Sequence, residues 1–164
     1  MKEKDINTEI KNSLRALNCF AFKVPDAIYN PRARFSTKKG VDIFAGVHGK
    51  FVAIETKTMK IYQAFGNQIR DDQVKILDAT VKCDNRAFVF LNIRRQANSI
   101  KGHLDHKNML IIFDWILWGD HFKKGSLKKG IIEKYGERIG IVGKNKLFDL
   151  KDFVYKVDNE LPFI

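Results

Sequence analysis

Residues 40–60 read GVDIFAGVHGKFVAIETKTMK. Two apolar runs flank His48-Gly49, which predicts a β-hairpin closed by a two-residue turn. Its strands are predicted over 41–47 and 50–56. With Val47 opposite Lys50, opposed residues carry numbers that add to 97, so Asp42 faces Glu55. Lys57, two residues beyond Glu55, points to the same side. Val41, Ile43, Phe44, Ala45, Phe51, Val52, Ala53 and Ile54 are apolar on both faces, which places the hairpin in the middle of a sheet. Three ionisable groups in such a setting need a reason. Two facing carboxylates repel each other unless a cation neutralises them. Hard oxygen ligands suit Mg²⁺, which takes one or two carboxylates and keeps several waters. Such an ion polarises a phosphoryl oxygen and lowers the pKa of a bound water. Lys57 beside it can orient the attacking water or stabilise charge on phosphorus. A salt-bridge cluster on an exposed sheet edge is the plain alternative, and apolar flanks on both faces argue against it.

Working outward, Ile6, Ile10, Leu14 and Leu17 recur at helical spacing and predict a helix over 5–17. A short strand is predicted next, over 19–24. Residues 25–40 form a loop with two prolines and the basic residues Arg32, Arg34, Lys38 and Lys39. Beyond the hairpin, Ile69, Val74, Leu77 and Val81 mark a helix over 67–83, and RAFVFLNI a buried strand over 86–93. A strand over 109–113 and helices over 115–122, 126–135 and 150–157 complete the chain, with Asp149 capping the last. The order α-β-β-β-α-β, then mixed elements, gives an α/β fold: a central mixed β-sheet flanked by helices. No linker or repeat divides it, so residues 1–164 are expected to form a single domain.

The 164 residues carry 30 Lys and Arg against 19 Asp and Glu, a net charge of +11. With 45% hydrophobic residues the chain is globular, and a small domain this basic usually meets a polyanion. Cys19 and Cys83 form no CxxC pair and are expected to be buried free thiols in a reducing compartment. The N-terminus MKEKDINTEI is charged where a signal peptide needs an apolar run. The greasiest segment, MLIIFDWILW (109–118), is too short to span a bilayer. A cytoplasmic protein is therefore expected. His103, Asp105 and His106 lack further ligands at metal-site spacing. There is no P-loop, dinucleotide fingerprint or nucleophile elbow.

Asp42, a spacer, then Glu55-x-Lys57 on the next strand resembles the motif of the PD-(D/E)XK nuclease superfamily, with Val41 where the motif's name has proline. The resemblance implies a restriction-endonuclease-like core. In it Asp42 and Glu55 bind Mg²⁺, with Mn²⁺ as a substitute, and Lys57 assists phosphodiester hydrolysis. It implies a further metal-site Glu on the first helix, for which Glu9 is the candidate, and a Gln on the helix after the Lys, where Gln73 stands. Ser36 and Thr37 in RFSTKKGVD, and the later GSLKKGIIEKYGERI, extend the similarity to Holliday junction resolvases of the RecU and archaeal Hjc type over about residues 8–139. The similarity implies a Mg²⁺-dependent endonuclease of bacterial or phage origin that cuts branched DNA. Arg32, Arg34, Ser36, Thr37, Lys38, Lys39, Gln73, Arg94 and Arg95 are its candidate DNA contacts. Two symmetric cuts require a C2 homodimer, and the 109–118 segment offers either its interface or core packing. The 25–40 loop stands where RecU proteins carry a protruding stalk, but is short. The alternatives are a VRR-NUC-like or restriction-like nuclease acting on flap or linear DNA, and a DNA-binding module that keeps the fold without the chemistry. The intact Asp42, Glu55 and Lys57 speak against the module.

Overall fold

His48 and Gly49 both adopt positive φ, 46° and 88°. That is the twist a two-residue hairpin turn needs, and glycine supplies it without a steric cost. The turn therefore forms where expected, with Val47 opposite Lys50. The computed structural model describes residues 3–25, 40–59, 69–94, 108–125, 127–134, 137–139, 141–142 and 147–163. The elements in chain order are α1 (Glu3–Ala16), β1 (Phe20–Lys23), β2 (Ile43–Val47), β3 (Lys50–Met59), α2 (Asp71–Lys82), β4 (Arg86–Arg94), β5 (Asn108–Asp114), α3 (Trp115–Lys123), α4 (Lys129–Lys134), β6 (Glu137–Ile139), β7 (Ile141–Val142), β8 (Leu147–Phe148) and α5 (Lys151–Asp158). Six strands form one sheet in the order β1-β2-β3-β4-β5-β6. Among the described strands only β3 and β4 run parallel, as their α2 crossover requires; the other pairs are antiparallel. The sheet is thus mixed and flanked by helices, in the expected α-β-β-β-α-β order.

Alternation along the strands divides the core. Ile43, Ala45, Val47, Val52, Ile54, Phe88 and Phe90 face Ile6, Ile10 and Leu14 of α1 and Phe153, Val154 and Val157 of α5. On the other face Ala53, Met59, Ala87, Val89, Leu91 and Ile93 meet Leu77 of α2, Trp115 and Phe122 of α3, and Ile132 of α4. The β2–β3 hairpin sits inside the sheet, but its turn end is not covered on the α2 side. Phe51 is 43% exposed, stacked at 5.3 Å on the half-buried Phe44, and Phe20 and Phe22 on β1 are exposed beside them. The α2 helix packs on β3 and β4, and Val81 near its C-terminal end lines a cavity together with Phe51.

Of the two uses open to the segment 109–118, core packing is seen for Met109 to Phe113 and Trp115, which are buried, while Ile116 and Leu117 are exposed. Two expectations need correction. Cys19 is buried, whereas Cys83 lies exposed just after α2. Leu150, not Asp149, holds the N-cap of α5; the Asp149 carboxylate accepts from the Lys151 N–H at a long 3.4 Å. The strands β6, β7 and β8 are too short to leave a periodic signal in the sequence. Lys123 is paired with Asp78 at 2.9 Å and lies over the Trp115 ring. Among the described residues, no helix is long and apolar enough to cross a membrane.

Candidate active site at the end of the hairpin

The α2 face of β3 carries Ala53, Glu55, Lys57 and Met59 in alternation. Glu55 is 1% exposed. A carboxylate buried this deeply stays charged only if it is paired and hydrogen-bonded. Lys57 meets that need: its Nζ lies 2.8 Å from Glu55 Oε1. Gln73, in the first turn of α2, donates its Nε2–H to the same oxygen at 2.6 Å. The orientation of this amide is dictated by its other end, because Gln73 Oε1 accepts the Arg70 backbone N–H at 2.9 Å and only an oxygen can do so. The first turn of α2 is thereby tied to Glu55 through one side chain.

Asp42 comes one residue before β2. Its N–H donates to the Ile54 carbonyl at 3.2 Å, and the paired register of the hairpin ends one residue later in β2, at Ile43 opposite Ile54, so the ladder does not extend to a facing pair of Asp42 and Glu55. Its side chain departs from the expected arrangement. The strand pleat has ended at a bend there, and the carboxylate swings toward β3. Asp42 Oδ2 accepts the Thr56 N–H at 2.9 Å and the Thr56 hydroxyl at 2.7 Å. Thr56 lies two residues past Ile54 on the α1 face, and its hydroxyl also contacts the buried Asn7 of α1. Asp42 thus terminates the β2–β3 ladder at the boundary between the two faces, whereas Glu55 lies wholly on the α2 face.

Arg70 stands at the N-cap of α2, immediately before Asp71. Its guanidinium grips Asp72 with both prongs, Nε to Oδ1 at 3.0 Å and Nη2 to Oδ2 at 3.1 Å. The hydrogen bonds to Asp72 raise its pKa, partial burial opposes them, and Glu55 and Asp42 add smaller increases. One cation therefore feels both carboxylates.

The remaining candidates fall differently. Glu9 is half-buried on α1. Among the described residues no three acidic, histidine or cysteine side chains gather as a metal cluster, and the α1 side chain seen to meet Thr56 is Asn7. Gln73 is 3% exposed with its amide engaged by Glu55 and Arg70, which does not fit the expected DNA contact. Arg32, Arg34, Ser36, Thr37, Lys38, Lys39 and Arg95 lie outside the described residues, and for Arg94 only the backbone of β4 is described. Sequence reasoning missed Asn7, Thr56 and Arg70. For Asn7 a signal existed: a polar residue beside Ile6 in a buried helical stripe requires a buried partner.

No protein-family model matches the sequence, and no curated protein does. Among solved structures the chain is similar to Hjc of Archaeoglobus fulgidus, a Holliday junction resolvase from an archaeal hyperthermophile. Sequence identity is 22% over 68% of this chain and 73% of that one, with a TM-score of 0.41.

Proposed function

We propose that this protein is a Mg²⁺-dependent endodeoxyribonuclease whose active site is built from Asp42, Glu55 and Lys57, and that its substrate is branched DNA of the four-way-junction kind. The observation that carries the reading is Glu55, a carboxylate 1% exposed, fixed by Lys57 and Gln73 on one oxygen, next in sequence to the Thr56 that anchors Asp42. Such a rigid, charged constellation inside an apolar sheet is costly for folding and is what a catalytic site requires. The donor set fits the metal in kind: two hard carboxylates, with waters completing the shell as Mg²⁺ prefers. When bound, the ion supplies Lewis-acid polarisation of a phosphoryl oxygen and acidifies water.

The chain's own groups do the positioning. Thr56 fixes the Asp42 carboxylate through its N–H and hydroxyl. Gln73 fixes Glu55. Lys57 holds its ammonium beside Glu55, where it orients the attacking water or stabilises charge building on phosphorus. The net charge of +11 supplies sequence-independent affinity for the DNA backbone. Paired cuts across a junction call for a twofold dimer with two such sites.

A substrate panel tests this reading. Four-way junction, flap and linear duplex are each incubated with the protein and Mg²⁺, and the products are mapped on sequencing gels. Symmetric nicks in the junction alone are expected. Cutting confined to flap or linear DNA would keep the nuclease and replace the substrate. Tight binding without cutting of any DNA would instead indicate a binding module.

A further inference from the structure

The two prongs of Arg70 hold the two carboxylate oxygens of Asp72 in the fork geometry that guanidinium also offers to two oxygens of a phosphate. The Arg70 side chain is 54% exposed and that of Asp72 24% exposed, so this pair lies within reach of an incoming strand. It also lies at the proposed catalytic centre. The backbone of Arg70 is bonded to Gln73, and Gln73 is bonded to Glu55. We propose that Arg70 is a phosphate clamp for the DNA strand at this site, and that Asp72 is its built-in competitor, occupying the fork until a phosphodiester displaces it. This rests on the nuclease reading for the identity of the strand, and on the geometry of the pair for the rest.

The exchange is physically cheap. Exposed ion pairs are weak. Asp72, released, remains in the first turn of α2, where the helix dipole favours a negative charge. Arg70 gains a phosphate in place of a carboxylate of similar shape. Lys57 cannot take this role while it neutralises Glu55. Asp72 thus sets a threshold: weakly presented phosphates do not open the fork, and a strand seated along the site does.

A double-mutant cycle tests the proposal by DNA affinity alone. Binding of labelled four-way junction and labelled linear duplex is measured in EDTA, so that no cutting intervenes. Arg70→Ala is expected to weaken binding about tenfold, as losing a bidentate charged contact does. Arg70→Lys should recover only part, because an ammonium has no fork. Asp72→Asn should tighten binding severalfold in the wild-type background and change nothing in the Arg70→Ala background. The bond to Gln73 comes from the Arg70 backbone, so these side-chain changes leave it in place; thermal unfolding checks each variant, and Arg70→Gln serves if the alanine variant misfolds. Equal tightening by Asp72→Asn in both backgrounds would mean a general charge effect and overturn the competitor. Unchanged binding by Arg70→Ala would overturn the clamp. Wild-type cleavage in Mg²⁺ is scored separately on the same DNA, so a protein that binds through Arg70 yet cuts nothing would refute the nuclease and retain the clamp.

Discussion

Glu55→Gln is expected to reduce the rate of DNA cleavage by about a thousandfold, the upper end of what removing one electrostatic stabiliser costs, while DNA affinity in EDTA stays within a few-fold of wild type. The substitution is chosen for its shape. Both Lys57 and Gln73 reach the same oxygen, Oε1, and the amide oxygen of glutamine can accept from both. The packing around a 1% exposed side chain is thus preserved. The change removes the negative charge and one hard oxygen, the two properties a Mg²⁺ site needs. Lys57, 14% exposed, is left beside a neutral neighbour and can turn toward water. Single-turnover cleavage of a labelled junction, with circular dichroism to confirm the fold, reads the outcome. A rate within tenfold of wild type would remove Glu55 from the site.

Phe88→Ala is expected to destabilise the fold by about 3–5 kcal/mol, the cost of emptying a large buried aromatic site. Phe88 is fully buried on the α1 face of β4, with the rings of Phe163 and Phe153 at 4.8 and 5.1 Å in edge-on contact. The Arg86 guanidinium lies 5.3 Å from the Phe88 ring and 5.1 Å from that of Phe163. Phe88 therefore joins α5 and the residues after it to the sheet. Since domains of this kind are stable by about 5–15 kcal/mol in total, one truncation removes a large share. Urea unfolding measures it, with Phe88→Leu as the milder control. A loss below about 1 kcal/mol, far under the cost of emptying a packed aromatic site, would mean that α5 is not part of the cooperative core.

How far the sequence could be read depends on the range of the interaction that decides each feature. The hairpin was legible because its turn is local: Gly49 tolerates the positive φ, and the two-residue loop fixes register. Period 2 then placed Glu55 and Lys57 on one face, and helical spacing found α1 and α2. The Asp42 side chain was not legible, because its direction is set by the end of the β2–β3 ladder and by the Thr56 N–H left open there. Nor was the contact of Asn7 with Thr56, which depends on how α1 is rotated against the sheet. Gln73 was found on its helix, but its bond to Glu55 is a long-range contact.

The most direct test of the proposed site is single-turnover cleavage of a labelled four-way junction by the wild type and by Asp42→Asn, each in Mg²⁺ and in EDTA. The asparagine keeps an oxygen for Thr56 and loses the charge, so its fold is expected to stand. Paired nicks are predicted for the wild type in Mg²⁺, none in EDTA, and none for Asp42→Asn in either. Undiminished cutting by Asp42→Asn, cutting by the wild type in EDTA, or no cutting by the wild type in Mg²⁺ would contradict a metal-dependent nuclease built on Asp42.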